Sequence, residues 1–137
     1  MTAMPHSRAL PALLLCALLL AGCAAPPQPV AKPSGLAELM ERPAERALLD
    51  GIRAFDDGLY ALAEKSLRSA LDDGLSSARD RATAHKLLAF ITCTSERLEA
   101  CQAEFKQARA ADAAFALSRS EAGHPVWGPV YRGTATP

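Results

Sequence analysis

The sequence has no surplus of either charge and few aromatic residues. It carries 15 Lys and Arg against 15 Asp and Glu, and its 137 residues include one Trp, two Tyr and four Phe. Because no basic excess is present to neutralise phosphates, we expect no nucleic-acid partner. The scarcity of aromatics and Gly, set against abundant Ala and Leu, disfavours a β-sandwich or barrel and favours one small helical domain.

Long apolar runs and catalytic motifs are also missing. The apolar run at residues 9–20 is shorter than the roughly 20 residues that a membrane-spanning helix needs. The chain has no nucleophile elbow and no phosphate-binding Gly loop. We therefore expect no enzymatic activity, no catalytic residue, no cofactor and no small-molecule substrate. The Asp pairs at 56–57 and 72–73 precede Gly and are interpreted as solvated turn residues.

The N-terminal segment has the order of a bacterial lipoprotein signal. Arg8 supplies a positive charge, residues 9–20 form an apolar core, and the core ends in Leu20-Ala21-Gly22-Cys23. This ending resembles the lipobox, which implies cleavage of residues 1–22 and attachment of a diacylglyceryl group and a palmitate-type acyl chain to Cys23. Two or three acyl chains anchor a protein stably to a membrane. The alternative is an ordinary secreted protein cut near Ala25.

Residues 23–42 are predicted to be a Pro-rich tether with a short lead-in helix. Ala24, not Asp, follows the lipidated Cys, and resemblance to enteric lipoproteins then implies sorting to the periplasmic leaflet of the outer membrane. Four prolines in residues 23–35 favour polyproline II, which extends about 3.1 Å per residue. The tether is therefore interpreted as a spacer that holds the domain near its membrane.

Residues 43–132 show helical periodicity, which predicts an all-α domain. Four runs of apolar residues at helical spacing are separated by turn signals at Asp56-Asp57-Gly58, Asp72-Asp73-Gly74 and Thr94-Ser95-Glu96. No run alternates apolar and polar residues over enough positions to predict a strand. Residues 133–137 are predicted to be a disordered tail.

The second pair of runs repeats the first at a constant offset in residue number. Glu96 in the second pair, for example, corresponds to Gly58 in the first. The spacing resembles the tetratricopeptide repeat, whose period is 34, with four extra residues between the units. It predicts two antiparallel helical hairpins in which small residues allow close helix packing; a generic pair of hairpins is the alternative. The departures are Asp50 and His85 at usually apolar positions and Ala113 where Pro is usual. The other equivalent positions are Gly51 and Ala89, Ala63 and Cys101, Leu67 and Phe105, and Ala70 and Ala108.

Two repeats are fewer than the three usually needed to bury a continuous core, so we expect the C-terminal segment to cap the domain. Ser118 and Glu121 match a capping box, which predicts a short helix that begins near Arg119. The apolar residues before and after this helix are interpreted as a lid over the last hairpin, with a partner-binding aromatic patch as the alternative. They are Phe115, Leu117, Val126, Trp127, Val130 and Tyr131.

Three stretches carry a more specific resemblance. His85-Lys-Leu-Leu-Ala-Phe-Ile-Thr-Cys93, Cys101-x-x-Glu-Phe105 and Glu121-Ala-Gly-His-Pro-Val-Trp-Gly-Pro-Val-Tyr-Arg132 are similar to the TssQ-type lipoproteins associated with type VI secretion. The resemblance implies an accessory, non-enzymatic lipoprotein scaffold whose partners are envelope components of that secretion system. A pilotin-like or envelope-assembly lipoprotein, which escorts another outer-membrane component, is the alternative.

Cys93 and Cys101 are the two thiols left after Cys16 leaves with the signal and Cys23 is acylated. The predicted compartment is oxidising, which favours disulfides. Both residues flank a hairpin turn, and the Cα atoms of such residues can come close enough for a disulfide. Two packed free thiols are the alternative. A zinc site with His85 and His124 matches no standard spacing, so no metal is expected.

Recognition is expected on the concave face formed by the first helix of each hairpin. The candidate partner-binding residues are Leu48, Ile52, Phe55, Lys86, Phe90 and, from the C-terminal segment, Trp127. Phe55 and Phe90 can equally be core residues.

Overall fold

The computed structural model describes residues 42–135, and helices account for most of them. The helices are α1 (Pro43–Asp56), α2 (Tyr60–Asp72), α3 (Ala78–Thr94), α4 (Leu98–Ala111), α5 (Arg119–Ala122) and α6 (Trp127–Gly133). Since no strand occurs within 42–135, the all-α prediction is confirmed. The predictions for the signal peptide, for Cys23, for the tether before residue 42 and for residues 136–137 lie outside the described residues.

The four long helices form two antiparallel hairpins, α1 with α2 and α3 with α4. Gly51 allows the close approach in the first, because a Cβ there would lie 2.8 Å from Leu67 Cγ. Its equivalent Ala89 is fully buried in the second. The small and large residues predicted to interlock have no exposed surface in either hairpin: Ala63, Leu67 and Ala70 in the first, and Cys101, Phe105 and Ala108 in the second.

The repeat extends to the backbone of the hairpin turns. Gly58 has φ +76°, and its repeat equivalent Glu96 has φ +59°. The amide of Gly58 donates to Phe55 O and that of Leu59 to Ala54 O. The amides of Glu96 and Arg97 donate to the equivalent carbonyls of the second hairpin. Both turns are therefore the same Schellman-type helix end, in which a left-handed residue stops the helix.

Three of the helix starts, those of α1, α3 and α5, follow the expected N-terminal chemistry. Pro43 stands in the first turn of α1, where a missing amide hydrogen costs nothing. Ser77 accepts a hydrogen bond from the Asp80 amide at the start of α3. Ser118 and Glu121 form the predicted capping box at α5, so that prediction is confirmed.

The C-terminal cap departs from the prediction in two ways. It has a second helix, α6, because Pro129 falls in the first turn of that helix, where proline is tolerated. The tail is predicted to begin at residue 133, but α6 continues through Gly133. Thr134 is only 5% exposed, and its hydroxyl donates to Tyr131 O.

Candidate protein-interaction site

All seven aromatic residues of the chain form one connected set, the aromatic row. Ring centroids lie 5.6 Å apart for Tyr60 and Phe55, and 6.3 Å apart for Phe55 and Phe90. From Phe90 the row divides, towards Trp127 at 4.3 Å and towards Phe105 at 6.1 Å. The second branch continues through Tyr131 to Phe115. The row thus joins both hairpins and the cap.

Trp127 anchors the cap on α3. Its indole is stacked between the Phe90 ring and the His124 ring, with the His124 centroid 3.3 Å away and nearly parallel. Its Nε1 donates to Glu121 O at 2.9 Å. The Val126 amide donates to His124 Nδ1 at 3.2 Å, which fixes the imidazole over the indole. A half-buried aromatic with its polar atom bonded is held in one orientation.

Tyr131 forms the second anchor, on α4. Its ring meets Phe105 edge-on at 5.3 Å, and the Arg109 guanidinium lies 4.4 Å from its centroid, within cation–π distance. Its hydroxyl accepts a hydrogen bond from the Leu117 amide, which ties the loop before α5 to α6. Leu117 is buried, and Phe115 and Val130 pack against the core.

An ion pair fixes the cap to α3 as well. Lys86 Nζ donates to Glu121 Oε1 at 2.6 Å, with both side chains about three-quarters buried. Burial alone would raise the pKa of Glu121, but hydrogen bonds from Lys86 and Ser118 outweigh it and hold that pKa below its ordinary value. The predicted lid is therefore present, except that Val126 points outward.

These contacts change the role of the predicted partner-binding residues. Leu48 is 6% exposed and Phe90 is 4% exposed, so both side chains belong to the core and not to an exposed surface; for Phe90 this is the alternative that the sequence left open. Ile52 and Phe55 are partly buried against the core. Lys86 is paired with Glu121 of the cap, and Trp127 belongs to the cap and stacks on Phe90. The structure brings most of this set together, but as core and cap, because the C-terminal segment covers the first-helix face of the second hairpin.

A network of charged side chains joins the two hairpins. Glu64 on α2 accepts two hydrogen bonds from Arg97, at 2.6 and 3.0 Å, and two from Arg68, at 2.8 and 3.2 Å. Arg68 also reaches Glu104 on α4, which lies 2.7 Å from His85 Nδ1. The hydrogen bond from Arg97, above all, lowers the pKa of Glu64 to about 2. A bidentate Arg–carboxylate pair of this kind fixes orientation as well as distance.

Cys93 and Cys101 are joined in a disulfide, as the sequence predicted. Their Cα atoms lie 5.1 Å apart, and both residues are buried. The bond links the last turn of α3 to the first turn of α4. His85 instead contacts Glu104, and His124 stacks on Trp127. Within residues 42–135 no group of three or more His, Cys, Asp or Glu is placed to hold a metal ion.

Sequence reasoning missed two of the open surface grooves in the described part of the chain. One, of about 430 Å³, lies between α3 and the loop after α4 and includes Arg79, Lys86 and Phe115. The other, of about 320 Å³, lies on the first hairpin, beside Leu59 and Leu62. These leucines are 54% and 52% exposed. The exposure of these leucines could have been predicted from the sequence. They are the repeat equivalents of Arg97 and Ala100, which are not core positions.

The part of the chain that the structure describes holds no helix long and apolar enough to cross a membrane. No family model, curated protein or solved structure matches the chain.

Proposed function

We propose that the chain is a non-enzymatic, lipid-anchored adaptor that binds protein partners at the periplasmic face of the outer membrane, as a component of a type VI secretion system. The observation that carries the proposal is the stretch from Glu121 to Arg132. It is the most distinctive part of the resemblance to TssQ-type lipoproteins, and it supplies the side chains that fix the cap.

The architecture is consistent with an adaptor. A stack of helical hairpins offers extended surfaces and no enclosed pocket, which suits protein recognition. The cap, the disulfide and the inter-hairpin ion pairs hold this small stack in one shape. A preorganised surface loses less entropy when a partner binds.

Membrane attachment is tested by substitution of the predicted acylation site. We expect Cys23→Ala to abolish labelling by an alkyne analogue of palmitate and to release the protein from the membrane fraction, because the acyl chains supply the anchor. The matched control is Cys16→Ala, which lies in the predicted signal segment. This variant should still be labelled and should still be found in the membrane fraction. Labelled or membrane-bound Cys23→Ala protein would refute the anchor.

The secretion role is tested by deletion and complementation. We expect deletion of the gene to abolish contact-dependent killing of prey bacteria, and the unaltered gene, but not the Cys23→Ala form, to restore it. If killing persists while another outer-membrane component is lost from its membrane, the pilotin-like alternative is correct. A gene neighbourhood without sheath, baseplate and membrane-complex genes would count against the proposal.

A further inference from the structure

The first hairpin carries a groove on its outer face that the described residues leave uncovered. Buried Ala54 forms its floor, and half-exposed Leu59 and Leu62 form one wall. We call this site the outer groove; its volume is about 320 Å³, and it is lined by Asp50, Arg53, Ala54, Asp57, Leu59, Leu62 and Ser66.

The outer groove faces away from the second hairpin. Glu64 and Arg68 on α2 contact Arg97 and Glu104 of the second hairpin. With 3.6 residues per turn, Leu62 lies on the opposite side of α2 from these charged residues. The groove is therefore at the open end of the stack, where a preceding repeat would stand.

The second hairpin shows what binds to such a face. The repeat equivalents of Asp50, Arg53 and Ala54 are Leu88, Ile91 and Thr92, and all three are buried. The residues equivalent to Leu59 and Ser66 are Arg97 and Glu104, which bond to Glu64 and Arg68 of α2. In the second hairpin this face receives a helix, α2. The same face of the first hairpin has exposed Asp50 and Arg53 in place of buried Leu88 and Ile91, and it lacks that helix among residues 42–135.

The sequence argues against the chain itself as the source of an equivalent helix. One repeat before α2, the corresponding residues are 22–34, which include Pro26, Pro27, Pro29 and Pro33. Proline in a helix interior removes a backbone hydrogen bond and clashes with the preceding turn, at about 3 kcal/mol each. The sequence therefore disfavours residues 22–34 as the source of a helix in the outer groove, and we look to another molecule for it.

The charges around the outer groove indicate the chemistry of that helix. Asp50 and Asp57 lie in the groove, and Asp56 adjoins it. Among the described residues that line the groove, Arg53 is the one cation, and it lies 3.7 Å from Asp50. The lining thus has one more carboxylate than it has cations, and Asp57 lies beside the leucine wall, an arrangement that suits apolar residues flanked by Lys or Arg.

We infer that the outer groove binds a basic amphipathic helix of a partner protein, of about the length of α2, in the way that the second hairpin binds α2. The inference rests on the proposed adaptor function and names the class of its partner. Leu59 and Leu62 would contact the apolar stripe of that helix, and Asp57 would pair with its basic residues.

The test is site-specific photo-crosslinking in the cells that encode the full lipidated chain. A benzoylphenylalanine residue replaces Leu62, or replaces Gln107, an exposed control position on α4. We expect an adduct at Leu62 at least fivefold above that at Gln107. Mass spectrometry should map it to another protein, in a segment with apolar residues at helical spacing and an excess of Lys and Arg. Asp50→Lys with Asp57→Lys should lower the yield at least fivefold, whereas the matched pair Asp72→Lys and Asp73→Lys should not.

Three crosslinking patterns would overturn the inference: no adduct above the Gln107 level, an adduct within residues 1–41 of the same chain, or an adduct with a second copy. A yield at Leu62 that is unchanged by Asp50→Lys with Asp57→Lys would also overturn it. The prey-killing assay in the same strains separates this inference from the proposed function. If Cys23→Ala abolishes killing but Leu62 gives no adduct, the groove assignment fails and the adaptor role stands. If Leu62 captures a basic helix while deletion leaves killing intact, the groove stands and the secretion role fails.

Discussion

Glu96 adopts a left-handed backbone conformation, and the equivalent residue of the first hairpin, Gly58, is a glycine. The substitutions Glu96→Gly and Gly58→Glu should therefore change the stability of the domain in opposite directions. The left-handed conformation costs an L residue about 1–2 kcal/mol, and Glu96 adopts it with φ +59°. Substitution by Gly removes that cost but adds about 0.4–1 kcal/mol of unfolded-state entropy. The side chain of Glu96 is exposed. We therefore expect Glu96→Gly to stabilise the domain by about 0.5–1 kcal/mol.

The reciprocal change isolates the backbone contribution. A Cβ at Gly58 would meet no atom within 4 Å, so Gly58→Glu should lose stability through its φ of +76° alone, by about 0.5–1 kcal/mol. Thermal unfolding monitored by circular dichroism measures both variants. For a domain of this size the expected shifts are about 3–5 °C, upward for Glu96→Gly and downward for Gly58→Glu, and the double exchange should unfold close to the unaltered protein.

A third variant shows whether the gain is specific to the left-handed position. Glu99→Gly lies in the first turn of α4, where Gly costs about 0.5–1 kcal/mol, so its melting temperature should fall. The reasoning is refuted if Glu96→Gly also melts lower than the unaltered protein, or if Gly58→Glu melts no lower.

Three further predictions concern the disulfide, the cap and the inter-hairpin network. Joint replacement of Cys93 and Cys101 by Ala should cost about 2.5 kcal/mol in urea unfolding, the loop entropy of a bridge with sequence separation 8, and reduction of the unaltered domain should add two daltons. Trp127→Ala should cost about 2–3 kcal/mol because the indole is only partly buried, whereas exposed Val126→Ala should stay within about 0.5 kcal/mol. Because the folded-state pKa of Glu64 is about 2, its contribution is complete above the unfolded-state pKa near 4.5 and is lost as the pH falls from there through about 2. Urea midpoints against pH should therefore fall less steeply in Glu64→Gln.

Each of these has a contrary result. An unchanged mass after reduction would mean that the thiols are free. Equal costs for Trp127→Ala and Val126→Ala would mean that the indole does not hold the cap. If the urea midpoints of the unaltered protein and of Glu64→Gln change in parallel with pH, the arginine partners do not lower the pKa of Glu64 in the folded state.

The helical hairpins were predictable because their determinants are local and repeated. The constant offset aligned Gly51 with Ala89 and Leu67 with Phe105, and these positions are buried because two helices can approach closely only where one side chain is small. The capping box at Ser118 was readable for the same reason, since both of its hydrogen bonds lie within one helical turn.

The surfaces were less predictable because they depend on which elements meet. Phe90 lies on the helix face that normally lines a groove, but Trp127, from the far end of the chain, stacks on it. The bonds from Arg97 to Glu64 and from Arg68 to Glu104 have sequence separations of 33 and 36 and form only once the hairpins stack. The outer groove is apparent only when the two hairpins are compared as structures.

The position of Trp127 gives the protein a built-in optical probe. It is the chain's single tryptophan, so all indole emission arises at the contact between α6 and α3. Detachment of the cap would move that indole off Phe90 and into water, with a shift of the emission to longer wavelength. Steady-state fluorescence of the unlabelled protein can therefore follow the opening of the cap separately from the melting of the helices.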